Sequence, residues 1–269
     1  MPARRIVTFL TDFGAHDTFV GQMKGAALAV YPDLQFVDLT HEVPPHDVAA
    51  GAYLLWTGAL SFPAGTIHVA VVDPGVGTSR RRVAVRTEHY TFIAPDNGLL
   101  TRVLAEEPAG SAHLLEASHY QRRAVSPTFE GRDVFATAAA WIARGTELHH
   151  FGPPAGSLVT LDLSPPAIEA GRPAAVRVLV VDRFGNATLD LPRRLLEPLL
   201  AAGAPEPRIV VETPGGIASG PLGTYGDGQP GRPFVLFNSA GHLEVALREG
   251  RASDQLGLRA GTEVRVTIG

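Results

Sequence analysis

The sequence predicts an α/β protein in two parts: an N-terminal α/β domain on a mostly parallel sheet, followed by a smaller β domain. Three observations carry this. Up to Arg144, strand-like apolar runs alternate with helix-periodic runs, the pattern that lays helices over parallel strands. From about Gly152 to Pro173 the chain is rich in Pro and Gly and the periodicity lapses, which marks a linker. Beyond it, short β-rich runs follow one another with Gly and Pro turns, as in a small barrel or sandwich. The expected domains are 1–155 and 174–269, with the linker over 156–173.

The elements follow in order. Residues 5–10 form an apolar strand. Asp17 is placed to cap a helix in which Phe19, Val20, Met23, Ala27 and Val30 recur at helical spacing. Residues 35–40 read as a strand, 47–60 as a helix and 66–72 as a buried strand. Strands at 83–87 and 91–94 flank a turn at 88–90, and 97–106 and 132–144 read as helices. In the second part, strands are expected at 176–181, 187–191, 209–212, 233–237, 242–247 and 263–268, with one short helix at 195–202.

Composition removes several function classes. The chain has 269 residues, 45% hydrophobic and 19% charged, with a net charge of −4, so there is no electrostatic case for nucleic acid. There is no Cys, which rules out disulfides and thiolate chemistry and suits a cytoplasmic protein. Lys24 is the only lysine. The basic start and the apolar run after it are interrupted by Asp12 too early for a secretory signal. Residues 48–72 carry no Asp, Glu, Lys or Arg, but they contain Gly51, Gly58, Pro63, Gly65 and His68. A helix, a turn and a buried strand explain them better than a membrane span.

Three aspartates sit directly behind strand-like runs: Asp12 in LTDFG, Asp73 in VVDPGVG and Asp96 in PDNGLL. Ligands bind at the carboxyl ends of strands in open α/β sheets, so the three together point to a polar ligand site. Arg80 lies seven residues after Asp73 and can fold back onto it, and an Asp–Arg pair can position a water. The triplet Arg80–Arg82 as a whole reads as a solvated charge run. The word FEGRD at 129–133 opens a helix, where a ligand role and simple capping weigh equally. DRFGNAT at 182–188 reads first as a hairpin turn, and NSAG at 238–241 has the same ambiguity. His16, His41 with His46 and Asp47, and His149 with His150 invite a metal reading. None has the spacing of a zinc helix, and no metal is expected.

In this order LTDFG, VVDPGVGT, APDNGLL, the TF-x-GRD word at 128–133, VDRFGN and the NS-x-G word at 238–241 resemble the S-adenosylmethionine hydroxide adenosyltransferases. These are also called SAM hydrolases and are relatives of the fluorinases and chlorinases. The resemblance implies an N-terminal α/β domain, a C-terminal β-barrel and a homotrimer with sites between subunits. It implies hydrolysis of SAM to adenosine and L-methionine, with no cofactor, no nucleic acid and no membrane partner. Asp12 then matches the acid that holds the ribose hydroxyls, and Asp73 and Arg80 match two members of a water-handling Asp–Arg–His set. The third member, usually His, is Glu130 here, so the catalytic residues expected are Asp73, Arg80 and Glu130. Phe129 matches an aromatic beside the reacting carbon. Asp182 and Asn186 match contacts to the methionine amino group and the ligand, Tyr225 an aromatic over adenine, and Ser239 a serine near the methionine carboxylate. Glu244 is counted with these binding residues. Halogenating relatives carry Ser at the position of Gly131 and Tyr at that of Asp73, so the residues here favour water over halide.

Overall fold

The computed structural model describes residues 5–164, 166–200 and 208–269, with backbone alone at Pro198 and Leu200. Two compact units divide the chain, one up to Asp162 and one from Leu163 onward.

The first unit runs β1 (Arg5–Thr11), α1 (Phe19–Val30), β2 (Leu34–Thr40), α2 (Val48–Ala59), β3 (Ile67–Val71), β4 (Arg82–Arg86), β5 (Thr91–Pro95), α3 (Thr101–Glu106), β6 (Ser111–Leu114) and α4 (Ala136–Arg144). The sheet order is β2-β1-β3-β5-β4-β6. β2, β1, β3 and β5 are parallel, and β4 runs antiparallel to both its neighbours. The central strands β3 and β5 are buried along their whole length, which is why they read as continuous apolar runs rather than alternating ones. One core joins Val7, Phe9 and Val69 of the sheet to Met23 and Ala27 of α1 and Ala139 of α4.

Some boundaries differ from the sequence expectation for local reasons. Asp17 does not cap α1. Thr18 holds the cap position without a side-chain cap, its hydroxyl accepting Gln22 Nε2 at 2.9 Å instead. Asp47 does cap α2, accepting Ala50 N–H at 3.0 Å. The helix expected from Asn97 begins only at Thr101, because Gly98 is left-handed (φ 97°) and Asn97 Oδ1 accepts Leu99 N–H at 3.2 Å, making a turn. The edge strand β6 was not anticipated. It is short and mixed in character, paired with β4 on one side and bonded to residues 153–155 on the other.

His68, in the middle of β3, is fully buried, with Nδ1 2.7 Å from Thr8 Oγ1 and its ring stacked on Phe92 at 5.1 Å. Burial pushes its pKa down to about 3. The folded state thus keeps the ring neutral while the unfolded chain protonates near the ordinary 6.5. Its stabilising contribution is complete above pH 6.5 and is lost as pH falls from there toward 3. From pH 8 to pH 5 the loss from this one group is roughly 2 kcal/mol. Denaturant titrations at the two pH values check it. His68→Gln should shrink the pH 8-to-5 difference by about that amount, and an unchanged difference rejects the assignment.

The second unit is a closed barrel of β7 (Ala174–Val181), β8 (Ala187–Pro192), β9 (Ile209–Thr213), β10 (Gly216–Gly220), β11 (Phe234–Phe237), β12 (His242–Ala246) and β13 (Glu263–Ile268), in the order β10-β11-β12-β8-β7-β13-β9. All neighbours are antiparallel except β10 and β11. Val178, Leu189, Val211, Val235, Val245 and Val266 fill its interior. β10 was not anticipated because glycines at both ends and an exposed Ile217 make it read as a turn. The short helix Ala252–Leu256 was also missed. The one anticipated at 195–202 appears as Glu197–Leu200, and residues 201–202 lie outside the described ones. Among the described residues no helix is long and apolar enough to cross a membrane. The uncharged stretch 48–72 is α2, a turn and β3.

Candidate active site

Parallel pairing of β1, β3 and β5 brings their carboxyl ends to one edge of the sheet. Asp12 and Asp73 both line a cavity of about 330 Å³ there. Asp96 does not join them. It is buried, pairs with Arg81, and accepts Val159 N–H at 2.8 Å. Arg81 also donates to the carbonyls of Ala155 and Ser157, both at 2.6 Å. The third strand-end aspartate therefore fastens the segment 155–159 rather than facing a ligand, a correction to the reading of three like positions.

The turn after Asp73 is built for close approach. Gly77 is left-handed (φ 79°), and a Cβ there would lie 2.9 Å from the Pro127 carbonyl oxygen. Arg80 folds back from this turn, its Nη2 standing 2.5 Å from Asp73 Oδ2 and 2.5 Å from Glu130 Oε2. Arg82 Nη1 reaches Glu130 Oε1 at 3.3 Å. The triplet Arg80–Arg82 is thus not a solvated run. Each member pairs with an acid that burial would otherwise leave uncompensated, and the Arg80 side chain is only 8% exposed.

Glu130 is buried at the start of a π-helical turn, Gly131–Phe135, that widens the chain before α4. Such turns recur at functional sites. Asp133 within it is fully buried and accepts from Arg132 Nε at 2.6 Å, Arg122 Nη1 at 3.1 Å and Ser126 N–H at 2.8 Å. Burial pushes its carboxyl up, but these donors outweigh that and hold it below the ordinary range. Asp133 thus anchors residues 122–126, while Phe129, Glu130 and Gly131 of the same FEGRD word line the cavity.

Asp73 behaves in the opposite sense. Burial lifts its carboxyl above the ordinary 3.8, opposed by Arg80, while the Glu130 charge adds to the rise. Asp73 Oδ1 and Arg80 Nε are both buried and make no hydrogen bond of good geometry. Of the two residues Asp73 lines the cavity and Arg80 does not, so the unmatched atom nearest a ligand there is the acceptor on Asp73. Phe129 packs edge-to-face on Phe19 at 5.3 Å and on Phe13 at 6.2 Å, giving the cavity an apolar wall. His46, also on the wall, has a left-handed backbone (φ 65°) and donates its N–H to Asp12 Oδ2 at 2.8 Å.

The second unit gathers another polar group. β8 and β12 are neighbours, with Thr188 opposite Glu244. Buried Glu244 accepts from Tyr225 Oη at 2.7 Å, Asn238 Nδ2 at 3.2 Å and Thr188 Oγ1 at 3.3 Å. Asp182 makes the β7–β8 turn: Oδ1 accepts Phe184 N–H at 2.9 Å and Asn186 N–H at 2.8 Å, and Oδ2 accepts Asn186 Nδ2 at 3.0 Å. Phe184, at the tip of this turn, is 73% exposed. Ser239 is exposed in the β11–β12 turn.

Asp12, Asp73, Phe129 and Glu130 are thus brought to one cavity with Arg80 bonded behind it, and Tyr225 and Glu244 are brought together in the barrel. Sequence reasoning missed Arg82, His46, Phe13, Phe19, Thr188, Asn238 and Phe184. Only Phe13 inside LTDFG and Phe184 inside VDRFGN carried a readable signal. Arg82 meets Glu130 across 48 positions, and no local pattern announces that. Among the described residues no group of three or more His, Asp or Glu is arranged to hold a metal ion.

An acid–guanidinium cluster with unmatched polar atoms, set at the carboxyl edge of a parallel sheet beside an apolar wall, defines a small-molecule site of enzymatic character. The chain belongs to the SAM hydroxide adenosyltransferase family, whose N-terminal domain matches residues 7–152 and whose C-terminal domain matches 176–265. It is 38% identical to an (R)-S-adenosyl-L-methionine hydrolase of Salinispora tropica, over 98% of each chain. It is also 38% identical to another of Thermus thermophilus, over 97% of this chain and 99% of that one. A fluorinase of Nocardia brasiliensis is 29% identical over 99% of this chain and 98% of its own. Among solved structures, an uncharacterized conserved protein of Thermotoga maritima superposes with a TM-score of 0.87 at 32% identity, covering 97% of this chain and 99% of that one.

Proposed function

We propose that this chain is an (R)-S-adenosyl-L-methionine hydrolase, forming adenosine and L-methionine. The observation that carries the reading is the Asp73–Arg80–Glu130 cluster, with Asp73 Oδ1 left unmatched beside the cavity that Asp73, Glu130, Asp12 and Phe129 line. The chemistry asks little else. The oxygen of water forms a bond to C5′ as the C5′–S bond breaks. That electron pair leaves with sulfur as a neutral thioether, so no general acid is required. The water proton passes to Asp73, whose raised pKa suits an acceptor. Arg80 orients the water, and the apolar wall keeps the attack short of competing solvent.

In this reading Asp12 accepts the ribose hydroxyls and Phe129 lies beside the reacting carbon. Asp182, Asn186, Tyr225, Ser239 and Glu244 hold the remainder of the substrate. The assembly is a homotrimer in which the barrel of one copy completes the cavity of the next, in the cytoplasm. Asp73 and Gly131 support water over halide as the nucleophile. Incubation with SAM and chromatography of the products tests the proposal: adenosine and L-methionine should appear in equal amounts. Intact SAM together with tight adenosine binding would instead favour a binding protein of little turnover, a reading supported by two arginines holding Glu130 where the family carries His.

Glu130 gives a signed prediction. Its charge helps hold the Asp73 pKa up, so the pH–rate profile should show an acidic limb above the ordinary 3.8 of an aspartate. Activity is lost as pH falls through it. Glu130→Gln removes the like charge and leaves Arg80 to Asp73 alone, so the limb should move to lower pH. Superimposable profiles would mean that Glu130 has no electrostatic hold on the water-handling acid.

A further inference from the structure

Two loops wall the cavity on the Asp12 side, residues 12–16 after β1 and residues 41–47 between β2 and α2. Backbone bonds tie them together, Gly14 N–H donating to the His41 carbonyl at 2.8 Å and Val43 N–H to that of Thr11 at 3.4 Å. Beneath them runs a line of side chains that the proposed reaction does not use. Lys24 Nζ stands 2.6 Å from Asp38 Oδ2. Asp38 Oδ1 stands 3.1 Å from His41 Nε2, off the line of a ring N–H. His41 Nδ1 is 2.9 Å from Thr11 Oγ1, and Thr11 Oγ1 accepts Phe13 N–H at 3.2 Å. Thr11 is fully buried.

The order of protons along this line follows the His41 tautomer. Phe13 N–H can only donate, so the Thr11 oxygen accepts there and keeps its own proton and a second lone pair for His41. The Asp38 carboxylate beside Nε2 favours the ring proton there, which leaves Nδ1 to accept the Thr11 hydroxyl. Burial opposes the charge on Asp38, but Lys24 and His41 outweigh it and hold the carboxyl below its ordinary value. The loop residues Asp12 and Phe13 both line the cavity, so whatever sets this loop sets that wall.

We infer that Lys24, Asp38, His41 and Thr11 form a positioning relay for nucleoside binding: the ion pair selects the His41 tautomer, His41 orients the Thr11 hydroxyl, and Thr11 holds the Phe13 amide so that Asp12 stands ready for its ligand. The inference rests on the proposed function only for the identity of that ligand. A loop held in place before binding spends none of the binding energy on its own ordering. The relay therefore acts on KM and on adenosine affinity, while kcat stays with Asp73, Arg80 and Glu130 on other elements.

Thr11→Val removes the hydroxyl at constant shape and Thr11→Ser restores it. In Thr11→Val, KM for SAM, the adenosine Kd from calorimetry and the exchange rate of the Phe13 amide should each rise about tenfold or more, with kcat within about twofold. Thr11→Ser should return all three close to the parent. An unchanged Kd and unchanged amide exchange in folded Thr11→Val overturn the relay. Should Thr11→Val fail to fold, nitrogen-15 spectra of the parent decide: a His41 proton on Nε2 supports the relay, and one on Nδ1 overturns it. If the parent neither cleaves SAM nor binds adenosine, the proposed function falls, while the amide exchange and the tautomer still decide the relay.

Discussion

Asp73→Asn is expected to lower kcat by roughly 10²- to 10⁴-fold, the range typical of losing a positioned general base. The substitution keeps the shape of the side chain and one acceptor oxygen for Arg80. It removes the capacity to take a proton from the attacking water. Adenosine has no such water to place, so its dissociation constant should stay within a few-fold of the parent's. Steady-state kinetics with SAM, beside calorimetry with adenosine, separate the two effects. Near-parental turnover in Asp73→Asn would move the proton acceptor elsewhere, with Glu130 as the next carboxylate of the cluster.

Arg80→Met should cost about 3–5 kcal/mol of stability at neutral pH as well as activity, as expected when one partner of a buried ion pair is removed. Arg80 is 8% exposed and serves two buried acids at 2.5 Å each. Without it, Arg82 still serves Glu130 but Asp73 loses its guanidinium beside the Glu130 charge, so Asp73 holds its proton more tightly. The sign follows from proton counting. An acid whose folded pKa rises above its unfolded value makes the folded state bind more protons, so stability falls as pH rises through that window. The loss relative to the parent should thus be larger at pH 8 than at pH 5, the reverse of the trend that His68 imposes on the parent. Denaturant titrations of both proteins at the two pH values measure this, and an equal loss at both would mean that Arg80 does not hold the Asp73 pKa down.

Much of this was legible because the signals are local. The alternation of buried strands with helices needs only the order of apolar residues, and β1, β3 and β5 appear where the runs lie. LTDFG and VVDPGVG could be placed at a sheet edge because strand direction alone puts Asp12 and Asp73 there. The ordered words named the family without any coordinates. Where local chemistry was ambiguous, reading failed in both directions. Asn97 and Gly98 made a turn inside a helix-like run, and Gly216 and Gly220 hid a barrel strand.

What the sequence determined by itself was the fold class, the family and which acids reach the sheet edge, since each depends on neighbours in the chain. What the tertiary structure decided was which charges meet. Asp96 and Asp73 look alike in sequence, yet one grips the segment at 155–159 through Arg81 and Val159 and the other joins Arg80 and Glu130 at the cavity. Arg82 passes for a surface residue until Glu130 arrives from 48 positions away. The reason is physical: a buried carboxylate must find a counter-charge, and only the packing of distant elements determines which guanidinium is near enough to supply it.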